Sequence, residues 1–298
     1  MSGLPASAPA PRAVRSSLDW CAYYEANAAA AEIPWECSAH LTAAERRAVA
    51  ASIQEFQLGE SSEGRHLHAA ARAYAASSGD GAYVRAIEAI IREEQRHARD
   101  LGRFLAAEGI PLRKRSWPDA VFRSLRRGAG LETTVGVLLT AELIAQVYYA
   151  ALRDATRSPV LRALCERILR DEAEHVRFQA ERLALLRAGR ARVAVRLAQA
   201  AQRGLLAGAA LVVWWGHRSV LAGGGLSFGR YWGQCWERFA AAATMMTPMP
   251  PSGSAPAPAP AAGAPLRPVS NAADGSAASA RAPAVAGEWH LTDIDARG

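Results

Sequence analysis

The stretch RDEAEHVRF, residues 170–178, sets three acidic residues and a histidine between positions 171 and 175 of a region otherwise rich in alanine and leucine. On a helix, Glu172 and His175 stand three apart on one face, within reach of a common ion. A single Glu-x-x-His pair in an arginine-rich helix is usually a solvated face carrying exposed ion pairs. A second stretch, REEQRHARDL at 92–101, repeats the layout with Glu94 and His97. Two copies on separate helices are harder to explain as surface.

The chain around these pairs supplies two more carboxylates. In LLTAELIAQVYY, residues 138–149, Glu142 is the only acid from Leu131 past Ala151 apart from Glu132 at the start of the segment. A carboxylate buried in such a run is costly unless it has a partner. Upstream, LGESSEGRHLHAA offers Glu60 and Glu63. Glu142 precedes Glu172 by 30 residues, Glu63 precedes Glu94 by 31, and Glu60 precedes it by 34. If the two halves are equivalent hairpins, Glu63 is the better counterpart of Glu142, with Glu60 the alternative. The pattern becomes Glu63, Glu94, His97 and then Glu142, Glu172, His175, one Glu from each of two helices and Glu-x-x-His from each of the other two. Four carboxylates match the charge of two divalent cations, and two neutral imidazoles complete the set.

The rest of the sequence supplies the helices this pattern needs. No segment alternates with period two for long, whereas apolar spacing near 3.6 recurs through the middle of the chain. A capping box of Thr42 and Glu45 predicts a first long helix from Thr42 to about Ala76. Asp80 caps a second, which stops at Gly109 and Pro111. WPDAVF opens a short helix, and a third long helix covers 131–155. Ser158 and Pro159 open a fourth, to about Ala188. Two more follow, 190–222 and 228–244. The expected architecture is all-α: a four-helix bundle over 18–190, a helical extension over 191–246 packed on it, and Ala/Pro/Ser/Gly-rich tails at 1–17 and 247–298 expected to be disordered.

These residues resemble the ligand set of the ferritin-like di-iron carboxylate superfamily, of rubrerythrin or di-iron oxygenase type, over about residues 42–188. The resemblance implies an antiparallel bundle holding two Fe ions, with Mn as the alternative metal. It implies that Glu94 or Glu172 bridges the two metals, and that Glu93 and Asp171 accept hydrogen bonds from the opposite helix's histidine, fixing each imidazole. His66 makes a third Glu-x-x-His with Glu63 and reads as an extra ligand, a supporting residue beside the metals or a surface residue; Tyr148 and Tyr149 follow Glu142 by one to two turns and read as core packing, with Tyr149 behind the ligands as the functional alternative.

The function expected from this resemblance is O2 activation to oxidise or hydroxylate a small organic substrate, with an external electron donor. The alternatives are a rubrerythrin- or manganese-catalase-like peroxide scavenger and a non-enzymatic iron-binding protein. Gly59, Ala141 and Ala145 are small neighbours that would leave room for a pocket. The net charge of +7 does not make this a nucleic-acid binder. Lys114 is the only lysine, and the arginine clusters lack the interleaved aromatics of a base-stacking surface. Cys21, Cys37, Cys165 and Cys235 form no C-x-x-C pair, which fits reduced thiols in a cytoplasmic protein. The apolar run within 204–222 is too short to span a bilayer and reads as a core helix, with peripheral contact at the inner membrane face as the second reading. Trp214, Trp215, Trp232 and Trp236 would suit a homodimer.

Overall fold

The computed structural model describes residues 14–27, 33–37, 40–61, 64–126 and 130–246. The tails expected to be disordered fall outside these residues, except for positions 14–17. The described part is all-helical: α1 (Ser17–Asn27), α2 (Ala43–Glu60), α3 (Arg65–Ser78), α4 (Gly81–Ala107), α5 (Trp117–Arg126), α6 (Leu131–Ala155), α7 (Pro159–Arg187), α8 (Arg192–Gly223) and α9 (Phe228–Met245).

Helix starts follow the local chemistry. Thr42 and Glu45 form the reciprocal capping box ahead of α2, Asp80 accepts from the Tyr83 amide at the head of α4, and Ser158 with Pro159 opens α7. The first long helix does not run unbroken from Thr42 to Ala76. It ends at Glu60, and α3 restarts at Arg65 behind Gly64, whose φ of 64° is in the left-handed region. A β-carbon on Gly64 would stand 2.5 Å from Ile91 Cδ1 and 2.6 Å from Cγ1, so both conformation and space select glycine.

The second departure is α1, which the sequence reading did not assign. Its signal is SSLD at 16–19. The Ser16 amide donates to Asp19 Oδ2 (2.9 Å), and the Asp19 amide donates to Ser16 Oγ (3.1 Å). Trp20 and Tyr24 are buried against Phe178 of α7, and Trp20 Nε1 donates to Glu181 (3.1 Å). Arg15 and Ser17, placed in the N-terminal tail by the sequence reading, are tied down as well. Arg15 pairs with Glu174, and Ser17 accepts from Arg182 (2.7 Å).

The buried stripes of α4 and α7 explain where chemistry can sit. On α4 the stripe runs Tyr83, Ile87, Ile90, Glu93, His97, Leu101 and Phe104. On α7 it runs Leu161, Leu164, Ile168, Asp171, Glu172, His175, Phe178. In both, acids and a histidine take mid-helix positions where large apolar residues would otherwise pack. α6 lies against α7 and α8 and is the most enclosed of the long helices.

Two helices are long and apolar enough to cross a membrane by length and composition. The apolar window of α6 is 83% buried, as in the core helix of a soluble protein, whereas that of α8 is 33% buried. Val193, Leu197, Leu211 and Trp215 are exposed on α8.

Replacing Gly64 by Ala is expected to destabilise the fold by roughly 1–3 kcal/mol, from the left-handed backbone and the collision with Ile91. Gly79→Ala, at φ 76° with nothing near the added carbon, should cost less. Urea unfolding of the two variants measures the difference, and equal losses would mean that Ile91 yields freely.

Candidate metal centre

Two groups of side chains have ligand atoms within 4.8 Å of one another: Glu60, Glu94, His97 and Glu172, and Glu94, Glu142, Glu172 and His175. Together they form a buried cluster that could hold a metal ion. Glu94 and Glu172 belong to both groups. Glu60 comes from the last turn of α2, Glu142 from α6, and the two Glu-x-x-His pairs from α4 and α7.

The inner faces of these side chains lack partners. Glu94 Oε1, Glu172 Oε2, His97 Nδ1 and His175 Nδ1 are buried without a hydrogen bond. His175 Nδ1 is 2.9 Å from Glu94 Oε1 and 3.7 Å from Glu172 Oε2, while His97 Nδ1 is 3.8 Å from both Glu60 Oε2 and Glu172 Oε1. Buried polar atoms left without a hydrogen bond are costly, and these four lie in the two ligand groups, His97 in one, His175 in the other and both glutamates in each, where a cation would take up their lone pairs.

The outer faces are fully engaged. His97 Nε2 bonds Asp171 Oδ2 (2.9 Å), and His175 Nε2 bonds Glu93 Oε2 (2.9 Å), so each histidine of one helix is held by the acid of the other. If Nε2–H donates, each Nδ1 is left with a lone pair facing the cluster. Asn27 Nδ2 donates to both outer acids, to Glu93 (2.7 Å) and Asp171 (3.0 Å), and Arg96 reaches the same two carboxylates. Tyr149 donates to Glu60 Oε1 (2.6 Å), and Gln179 donates to Glu142 Oε1 (3.1 Å).

The electrostatics follow from placing these charges in a dry interior. Burial, with Glu142 and Glu60 nearby, raises the Glu94 carboxyl to about 8, and burial with Glu142 raises Glu172 well above its usual range. Burial disfavours charge on His97, but Asp171 and Glu60 outweigh it and hold the imidazole up at about 9. His175 is raised in the same way by Glu172, Glu93 and Glu94 against its burial. Desolvation opposes the outer acids too, yet the histidine each one faces leaves Glu93 and Asp171 below their ordinary values. Without a cation, the interior therefore balances its carboxylates by holding protons.

Of the residues singled out in the sequence, Glu94, His97, Glu142, Glu172 and His175 meet in the cluster, with Glu93, Asp171 and Tyr149 directly behind it. Glu63 lies outside the described residues. Glu60 occupies the α2 position in the cluster. Its spacing of 34 to Glu94 exceeds the 30 between Glu142 and Glu172 by four, and four residues, 61–64, separate α2 from α3. His66 is exposed at the rim of the adjoining cavity and belongs to neither ligand group. Asn27, Arg96 and Gln179 were not singled out, and nothing in their spacing marks them.

A cavity of about 510 Å³ opens onto the cluster, lined by Glu60, Glu94 and Glu142 and by the small residues Gly59, Ala141 and Ala145. Phe56, Leu67, Ile90, Ile91, Phe122, Leu138 and Val213 make its walls largely apolar. His217 lines it as well, at the single residue of α8 with non-helical backbone angles (φ −126°, ψ 17°). Its Nδ1 is 2.7 Å from Ser52 Oγ, which donates to the Tyr148 hydroxyl (2.8 Å), and burial pushes the imidazole pKa down, toward the neutral form.

No protein-family model matches the chain, and neither does any curated protein or solved structure it was compared with.

Two outcomes follow for metal binding. Since ligands must shed protons to bind a cation, loading Mn(II) at pH 7 should release protons, and affinity should rise as pH increases through 8 toward 9, where Glu94 and His97 lose theirs. Calorimetry in buffers of different ionisation enthalpy measures the release. Asp171→Asn and Glu93→Gln should each weaken metal binding about 10- to 100-fold. Unchanged affinity would show that the crossed hydrogen bonds do not govern the imidazoles.

Proposed function

We propose that this chain is a ferritin-like di-iron carboxylate protein that activates O2 to oxidise or hydroxylate a small organic substrate held in the cavity beside Glu60, Glu94 and Glu142. The observation that carries this reading is the pair of overlapping ligand groups sharing Glu94 and Glu172, each completed by one histidine and one carboxylate of its own. In this reading α2, α4, α6 and α7 are the four helices of an antiparallel bundle, and α1, α3, α5, α8 and α9 surround it.

Glu60, Glu94 and His97 would hold one metal and Glu142, Glu172 and His175 the other, with Glu94 and Glu172 within reach of both. A hard set of four carboxylates and two imidazoles suits Fe(II) or Mn(II) over thiophilic metals. Bound iron would supply the redox chemistry: with two electrons from the substrate, two from an external donor and two protons from solvent, O2 would end as the hydroxyl oxygen of the product and one water. The electron count of hydroxylation requires that donor, and the four cysteines form no C-x-x-C pair to hold an iron of that kind.

The protein's own residues prepare the site. Glu93 and Asp171 keep both imidazoles neutral at the inner nitrogen once a cation displaces the protons. The Tyr149 hydroxyl and the Gln179 amide each engage one carboxylate oxygen of Glu60 and Glu142, leaving the other oxygen for metal. The apolar wall excludes water from the cavity and gives an organic molecule somewhere to lie. A site dedicated to peroxide would need far less room, so the cavity favours an organic substrate over the scavenger.

Anaerobic loading with two equivalents of Fe(II), followed by O2, tests the proposal. Iron should oxidise faster than in buffer and O2 should be consumed, and Glu142→Ala should reduce the rate to that of free Fe(II). Iron oxidation at the buffer rate by the unaltered protein would contradict it. Rapid disproportionation of peroxide by the Mn(II)-loaded protein would move the assignment to the scavenger.

A further inference from the structure

The mouth of the cavity is lined by Arg65, Arg123 and Arg126, the last two from α5. Arg123 is neutralised by Asp119, one turn before it (2.7 Å). Arg126 differs. It is half-buried, lines the cavity, and makes no hydrogen bond or ion pair among the described residues. Burial first, and then the neighbouring Arg123, press its pKa downward, while Asp119, Glu142 and Glu94 pull the other way from a distance, none of them in contact with the guanidinium.

The carboxylates across the cavity do not supply that counter-ion when the site is loaded. Glu60, Glu94, Glu142 and Glu172 together carry about −4, which two divalent cations cancel. One positive charge then remains in an apolar cavity, and an uncompensated charge there is costly. A bound anion removes the cost. A single guanidinium matches one carboxylate in both charge and fork geometry, with two parallel N–H···O bonds. Phe56, Ile90, Phe122 and Val213 offer a ligand hydrocarbon contact along the rest of a largely apolar wall, which also carries Gln179 and His217.

We propose that the cavity takes a monocarboxylate with a hydrocarbon or aromatic body, its carboxylate paired with Arg126 and its apolar part extending toward Glu60, Glu94 and Glu142. The claim that this molecule is the substrate rests on the di-iron reading. The claim that Arg126 selects a carboxylate needs the cluster filled by two cations, but not that they are redox-active. Arg126 is a specificity-determining residue, and the end of the ligand remote from its carboxylate is the part presented for oxidation.

Calorimetric titration of the full chain, Mn(II)-loaded, with 4-phenylbutyrate and with 4-phenylbutanamide tests this. The acid should bind about tenfold or more tightly than the amide, as expected when a charge-assisted pair is replaced by a neutral contact. Arg126→Gln should bind the two alike, Arg126→Lys should retain part of the preference, and Arg123→Gln should keep it. Equal binding of acid and amide by the unaltered chain, binding of neither, or a preference that survives Arg126→Gln would overturn the proposal. The last result would place the acid on the metals instead. Metal content measured on the same samples separates the two claims: a chain that holds no Mn(II) sinks the dinuclear reading and with it the charge balance at Arg126, whereas a loaded chain that does not distinguish acid from amide sinks the Arg126 assignment alone.

Discussion

Four carboxylates that face one another in a dry interior are the constraint around which the rest of this protein is arranged. Glu60, Glu94, Glu142 and Glu172 would repel strongly if all were ionised, and each would lose its hydration on burial. Only cations or protons relieve that cost. The raised pKa values of Glu94 and Glu172 show protons in that role, and the unpaired inner atoms of both histidines show where a cation would take over. The crossed pairs, His97 with Asp171 and His175 with Glu93, join α4 to α7 through the same charges.

Much of this was legible in the sequence. The two Glu-x-x-His pairs, the isolated Glu142 and the acids Glu93 and Asp171 all lie at fixed offsets on unbroken helices, where a period of 3.6 converts sequence distance into direction. Counting favoured Glu63 over Glu60, because counting assumes equivalent hairpins, whereas the break at Gly64 adds four residues to one of them and Glu60 is the residue in the cluster. Residue spacing carries no information across a helix break. Asn27 was hidden for a related reason: α1 reaches Glu93 and Asp171 from 66 and 144 residues away, and a long-range hydrogen bond leaves no periodic trace. The all-helical class and most helix starts were readable because caps are local, whereas the capping box at Ser16 and Asp19 lay in a segment whose composition resembled a tail.

The cavity joins the two parts of the chain that the sequence treated separately. The site's own helices form one wall, with the small residues Gly59, Ala141 and Ala145 beside the carboxylates. α5 and α8 add Phe122, Arg126, Val213 and His217. The kink at His217 turns a histidine inward from a helix that otherwise reads as an apolar run, and Ser52 and Tyr148 hold it there. A cavity beside a cluster that could hold metal costs packing, since filling it with leucine would stabilise the fold. Its retention beside Glu60, Glu94 and Glu142 is what a substrate site requires and a purely structural metal site does not.

The most direct measurement is anomalous diffraction from crystals of the protein loaded with Mn(II) or Fe(II). Two peaks are expected inside the cluster, one beside Glu60 and His97 and one beside Glu142 and His175, with Glu94 and Glu172 reaching both. A single peak, or metal bound only outside these six residues, would contradict the dinuclear centre.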